Sequence, residues 1–291
     1  MKIITRDKVV YVMDKKNPPV ETANSGERVV FQTCDCFNNA IRKNTDMVSG
    51  VDFSRVNPAT GPLYINGAEP GDTLMIRVLS ISLDVQGAAV AAPGLGRLGA
   101  MVEREETVIC PIEGEYARYL DYRIPLRKMI GVVGTAPAGE AVVTATPGAH
   151  GGNLDTTAIT EGVSLYLPVN VPGALLAIGD LHASMGDGEI MGAALEISGE
   201  VEVEVSLLKN CDYPLPLLET EDRWITIASA ATAEEASDRA IRNMVDLLRQ
   251  KTGLSFNQAG MLLSLAGDLR VSQIVNPRIT MRLELSKRYF A

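Results

Sequence analysis

Short apolar runs separated by Gly, Pro, Asn and Asp fill the first three quarters of the chain. Val29–Cys34, Thr73–Leu83, Thr107–Cys110, Tyr119–Ile124, Ile130–Val133 and Ala141–Ala145 are rich in Val, Ile and Leu and bounded by turn formers. That pattern predicts strands at the spacing of an all-β layer structure rather than of βαβ repeats. The longest run, Ile190–Leu208, alternates Glu200, Glu202 and Glu204 with Val201, Val203 and Val205. A period of two puts the glutamates on one face and the valines on the other, as in a strand with one buried and one solvated face.

The texture changes after Trp224. Thr232-Ala233-Glu234-Glu235 fits a capping box, so a helix is expected to follow. Ala236, Ala240, Met244, Leu247 and Leu248 fall at helical spacing, with Gly253 as the stop. A second short helix is expected over Asn257–Leu265 and a closing strand over Ile279–Leu285. The chain therefore reads as mainly β, or α+β: a β-sandwich-like core of antiparallel strands with helices clustered near the C-terminus. Residues 1–223 are expected to form the core that carries the site motifs, and 224–291 an α+β portion packed on it.

Composition narrows the partners. With 27 Lys+Arg against 36 Asp+Glu in 291 residues, the formal net charge is −9, and no Lys/Arg-rich run is present. Both facts argue against nucleic acid and against an anionic membrane surface. No segment approaches the ~18 uninterrupted apolar residues of a membrane helix. Met1–Asp7 carries charge where a signal peptide needs an apolar core, so a soluble cytoplasmic protein is expected, with Cys34, Cys36, Cys110 and Cys211 reduced.

Candidate chemistry is sparse. Gly94-Leu95-Gly96-Arg97-Leu98-Gly99 matches the dinucleotide fingerprint by letter. It follows Ala91-Ala92-Pro93 rather than a buried strand, so it reads as a flexible loop, one that could move over a site. Cys34-Asp35-Cys36 is too tightly spaced for a zinc finger, which argues against a thiolate site, although either cysteine could be a nucleophile if a base met it. Asp35 follows a strand and fits a turn former or a carboxylate facing a pocket equally well. The only two histidines both lie among glycines and acids, in His150-Gly151-Gly152-Asn153-Leu154-Asp155 and in the segment from Gly179 to Glu189. In Asp180-Leu181-His182 an extended backbone points both polar groups to one side, suiting two ligands on one divalent ion or an oriented imidazole. Gly151 and Gly152 let backbone approach a small bound group. Zinc is compatible with the His, Asp and Glu set, and the surplus of oxygen donors also suits calcium.

Five segments in order, Asn57-Pro-Ala-Thr-Gly-Pro62, Gly67-Ala-Glu-Pro-Gly-Asp72, His150-Gly-Gly-Asn-Leu-Asp155, Pro168-Val-Asn-Val-Pro-Gly-Ala174 and Gly179-Asp-Leu-His-Ala-Ser-Met-Gly-Asp-Gly-Glu189, resemble the acetamidase/formamidase family. The resemblance implies hydrolysis of formamide or acetamide to a carboxylate and ammonia, on a β-sandwich-like fold distinct from the nitrilase-type amidases. It also implies a homo-oligomer, dimer or higher, with metal in the site region. It places Asp35, His150, Asn153, Asp155, Asp180, His182 and Glu189 at matching polar positions. On this reading Asp35, Asp180 and His182 hold the metal. Glu189, or His150 oriented by Asp155, moves the proton, and Gly151, Gly152 and Asn153 bind the substrate. Two other readings stand beside it: a non-catalytic binding protein whose loops are stapled by a metal, and a cysteine-dependent amidase using Cys34 or Cys36.

Overall fold

Val201, Val203 and Val205 are fully buried while Glu200 stands outward and Glu202 and Glu204 are half-buried, following the period-two pattern. Their strand, Gly199–Leu208, lies inside a nine-stranded sheet of the computed structural model, which describes residues 1–290. It pairs antiparallel with Glu27–Thr33 on one side and Thr73–Leu83 on the other. A second sheet of eleven strands includes Ala59–Ile65, Met129–Gly134, Gly151–Asn153, Leu176–His182 and Glu196–Ile197. Phe31, Ile76, Val201 and Val203 of the first sheet meet Leu63, Ile130, Ile178 and Leu181 of the second in one buried cluster. Each such side chain taken from water contributes ~1.5–3 kcal/mol, so the two apolar faces close on each other as the layers of a sandwich.

The strand Arg223–Ala230 shows why helices are added outside. Ile225 and Ile227 point into the inter-sheet core, whereas Trp224 and Ala228 point the other way. That outer face is covered by α1 (Ala233–Thr252) and α2 (Phe256–Ala266) through Ala240, Met244, Leu247, Leu248 and Leu263. Residues 223–286 also continue the nine-stranded sheet, through Arg223–Ala230, Ile279–Ser286 and Asp268–Gln273. Among the described residues no helix is long and apolar enough to cross a membrane.

The Thr232 side chain accepts from the Glu235 amide at 3.1 Å, and α1 ends where Gly253 takes φ 73°. A capping box complete in both directions occurs instead at α2, between Ser255 and Gln258. Thr232→Ala is expected to lower unfolding free energy by about 1 kcal/mol in denaturant melts, and Thr232→Ser to leave it nearly unchanged.

Two expected strands differ. Tyr119–Ile124 is split into Tyr116–Tyr119 and Tyr122–Pro125 by a turn at Leu120 (φ 53°), which its aromatic neighbours conceal. In Ile190–Leu208, pairing starts only at Glu196. There Gly192 (φ 79°) packs so tightly on Gly96 that its Cβ position is 2.7 Å from the Gly96 nitrogen, and the apolar Ile190, Met191 and Leu195 line a cavity of about 560 Å³ instead.

Candidate active site

The site is built on the buried C-terminal end of the strand Leu176–His182. Leu181 enters the inter-sheet core, while Asp180 and His182 lie on the opposite side, where His182 Nε2 is 3.4 Å from Asp180 Oδ1. The neighbouring strand Met129–Gly134 pairs Ile130 with Leu181 and Val132 with Gly179, which sets Gly131 across from Asp180. A Cβ on Gly131 would come within 2.5 Å of Asp155 Oδ1 and 2.7 Å of Asp180 Oδ2, so the two carboxylates occupy the space its missing side chain leaves. On the other flank, Glu196 pairs with His182 and brings its Oε2 to 3.3 Å from Nε2; Asp155 Oδ1 lies 3.9 Å away.

The backbone around this cluster is unusual. Asn57 (φ 49°), Asp155 (φ 39°), Asp180 (φ 57°) and Glu189 (φ 50°) are all left-handed, a conformation costing a non-glycine residue about 1–2 kcal/mol. Such residues concentrate where surrounding structure holds a functional geometry in place.

Burial and charge set the protonation states. Burial opposes a charge on His182, yet Glu196 and Asp180 outweigh it and push its pKa well above the ordinary imidazole value. Glu196, despite its own burial, is held below the usual carboxyl range by His182. Burial, then the charge of Glu196, raises Asp180 to about 8; burial also raises Asp155. Glu189 lies well above its usual range, through burial and then the charge of Asp155. Asp155 Oδ1, Asp180 Oδ1, Glu189 Oε2, Glu196 Oε2 and both His182 nitrogens are buried without a hydrogen-bond partner. Their donor atoms fall into two groups, Cys36, Asp180 and Glu196, and Asp155, His182 and Glu189, with all ligand atoms within each group lying within 4.8 Å of one another. A cavity of about 270 Å³ opens onto Cys36, Asp180, Glu189 and Glu196 of these groups and is lined also by Asn57 and Asn153, with Leu95 and Gly96 of the glycine-rich loop in its wall.

Asp155, Asp180, His182 and Glu189 are thus brought together, with Asn153 at the cavity wall. Asp35 is buried, but its Oδ1 accepts from the amides of Phe37 (3.0 Å) and Asn39 (2.7 Å), and the adjacent Cys36 is the residue that faces Asp180 and Glu196. His150 lies against Gly148, Gly152 and Arg278; burial and then the Arg278 charge lower its pKa to about 4, leaving it neutral. The Gly151 amide donates to the Gly148 carbonyl (3.1 Å), and neither Gly151 nor Gly152 lines the cavity.

Sequence reasoning missed Cys36 as a donor, Glu196, Gly131 and Asn276. For Glu196 the signal was an acid inside Ala193-Ala194-Leu195-Glu196-Ile197; Asn276 offers none, being an ordinary turn residue before Pro277.

The model of the acetamidase/formamidase family matches residues 13–142 and 137–290. The acetamidase of Bacillus halodurans, known from its crystal structure, is 49% identical, with 99% of this chain and 98% of that one covered and a TM-score of 0.97. A predicted acetamidase/formamidase from Thermoanaerobacter tengcongensis is 37% identical, with coverage of 99% and 96% and a TM-score of 0.96. The acetamidase of Mycolicibacterium smegmatis is 43% identical over 66% of this chain and 64% of its own. The curated relatives are thus matched over somewhat less than two thirds of their own length. From nearly its whole length and its fold, the chain belongs to the acetamidase/formamidase family.

Proposed function

We propose that the protein hydrolyses a small aliphatic carboxamide, formamide or acetamide, to the carboxylate and ammonia, using a divalent ion held by the buried acids and His182. The observation that carries this reading is the small cavity opening onto unpartnered acids. A purely structural ion site is closed by protein ligands, whereas this one meets a cavity with room for a small amide, which favours catalysis over a metal-stapled binding module.

The residues fit an ion. Four carboxyl groups and one thiol surround a single imidazole, so that ionising them all would place more negative charge than one imidazolium can balance, and their buried orphan atoms lie close together. Cys36, Asp180, His182 and Glu196 would hold it, with Asp155 beside them. A thiol and an imidazole among the donors favour zinc over calcium, which takes oxygen ligands. When bound, such an ion is a Lewis acid that polarises a carbonyl and lowers the pKa of nearby water.

The other roles fall to this chain's own groups. Asp155, once ionised, accepts the proton of the attacking water. Glu189, whose burial favours the protonated form well above the usual carboxyl range, donates to the amide nitrogen so that the C–N bond breaks with ammonia as the leaving group. The two carboxyls belong to one cluster, so the proton gained by Asp155 can return to Glu189. The Asn153 amide lines the cavity wall, and on this reading it orients the substrate carbonyl. Burial raises the pKa values of Cys34 and Cys36, which disfavours the thiolate that a cysteine-dependent amidase needs. Met261 and Leu265, one turn apart on α2, leave an exposed apolar pair, which supports a homo-oligomer; a cytoplasmic location completes the proposal.

The test is ammonia release from formamide, acetamide, propionamide and larger amides. Turnover is expected to be highest with the smallest amides, lost in a strong chelator and restored by zinc. Ion-replete protein that releases no ammonia from any of them would establish the binding module instead.

A further inference from the structure

Two side-chain carboxamides reach the site from opposite ends of the chain. Asn57 Nδ2 donates to Asp180 Oδ2 at 3.0 Å, and Asn276 Nδ2 donates to Asp155 Oδ2 at 2.6 Å. In each aspartate the other oxygen, Oδ1, is buried and unpartnered, and these are the oxygens that lie 3.4 and 3.9 Å from His182 Nε2. We infer that Asn57 and Asn276 are a matched pair of positioning residues, each tying one oxygen of an aspartate so that the other stays bare and aimed into a divalent-cation site, Asp180 as a ligand and Asp155 as the negative charge beside it.

The chemistry of the pair suits that task. A carboxylate turns readily about its last torsion, so two buried aspartates left alone would rotate apart or share a proton. One hydrogen bond to each removes that freedom before the ion arrives, and preorganised ligands bind more tightly. The donors are neutral. A lysine or arginine in either place would hold the carboxylate equally well but would cancel the negative charge that attracts a cation, whereas an amide fixes the oxygen and leaves the charge intact.

Both clamps are themselves anchored. Asn276 Nδ2 also donates to the Asn153 carbonyl at 3.1 Å, and the amides of Val275 and Asn276 both donate to Gln273 Oε1 at 2.9 Å. Gln273 is fully buried and fixed in turn through its Nε2, which donates to the Arg278 carbonyl (2.7 Å) and Thr280 Oγ1 (2.9 Å). At the other end, the Asn57 amide donates to the Cys36 carbonyl at 2.8 Å, tying this clamp to a donor residue. The segment from Gln273 to Arg278 thereby gives the C-terminal part of the chain a place in the site, although it supplies none of the proposed ion ligands.

The inference rests on reading the cluster as an ion site, and its test separates the two. Zinc affinity of ion-stripped protein is measured by competition with a chromogenic chelator, alongside the unfolding midpoint of each ion-free form. Asn57→Gly removes the amide without forcing another side chain into the left-handed backbone. Asn276→Ala removes its partner, and Asn276→Ser, too short to reach Asp155, is a second route if the alanine form does not fold. Each is expected to weaken zinc binding about 10–100-fold, as loss of a ligand's supporting hydrogen bond does elsewhere. Variants that bind zinc as tightly as the parent, whether or not their midpoints fall, would overturn the clamp and leave the donor set standing. A parent protein that takes up no zinc would overturn both.

Discussion

Gly131→Ala is expected to lower amide turnover at least ~10²-fold, the scale of loss when reacting groups are displaced by about 1 Å. The new methyl would stand 2.5 Å from Asp155 Oδ1, 2.7 Å from Asp180 Oδ2 and 2.9 Å from the Asp180 carbonyl oxygen, all closer than a carbon can sit. One of those atoms is backbone, and both carboxylates are tied by asparagines, so the pressure cannot be relieved by one side chain swinging aside. Gly131 does not have a left-handed φ, so the substitution tests crowding alone. Gly139→Ala, an exposed site with nothing within 4 Å of the added carbon, is the matching control and is expected to keep parental turnover. A Gly131→Ala protein with parental kcat and zinc content would show that the two carboxylates need not hold these positions.

The second large effect is expected from Glu189→Gln, which keeps the size of the side chain and removes its transferable proton. A positioned acid contributes roughly 10²–10⁴-fold, so kcat should fall by that factor with KM little changed. The pH profile gives a sharper signature. Burial and the charge of Asp155 hold Glu189 protonated well above the usual carboxyl range, and the protonated form is the active one, so rate falls as pH rises through that pKa. Asp155 must be ionised, so rate also falls as pH drops through its own raised value. The two limbs belong to the interacting pair rather than to either group alone. In Glu189→Gln the alkaline limb should disappear while an acid limb remains, moved to the pKa of Asp155 without its partner. Full kcat in this variant would exclude Glu189 as the acid.

The strands around Val29, Thr73 and Val201 and the start and stop of α1 were legible because periodicity and capping are local. Asp180 and His182 were expected on one side of a strand with Leu181 on the other, and they lie so, but through a left-handed Asp180 (φ 57°) rather than an extended one. The family motifs singled out Asp155 and Glu189 as well, since acids beside glycine in long loops stand out in a chain with two histidines. Reading stopped where neighbours in space are far apart in sequence. Cys36 looked like half of an unsuitable metal motif because its partners, Asp180 and Glu196, lie about 150 residues away along the chain yet within 4.8 Å of it. Gly151 and Gly152 looked like substrate-binding glycines, but a Cβ on either would strike a carbonyl, Val133 at 2.2 Å or Thr146 at 2.4 Å, so close strand packing also demands glycine there.

By itself, the amino-acid order determined most of the layering: which residues of the long strands face the core and where the helices begin, set by interactions within a few residues, while the turn at Leu120 stayed hidden among aromatic residues. Only the tertiary structure decided how the site is assembled. Pairing Leu176–His182 with Met129–Gly134 on one side and Glu196–Ile197 on the other sets Gly131 against Asp180 and Glu196 beside His182. Asn57, which stands in a family motif but was given no role, and Asn276, which no local pattern marks, enter the same cavity from distant parts of the chain. Bare carboxylates repel one another and shed water at high cost, so no short stretch of chain can gather them alone. They stay together because two packed sheets, held by the burial of residues such as Phe31, Val203, Ile178 and Leu181, leave them no other place to go.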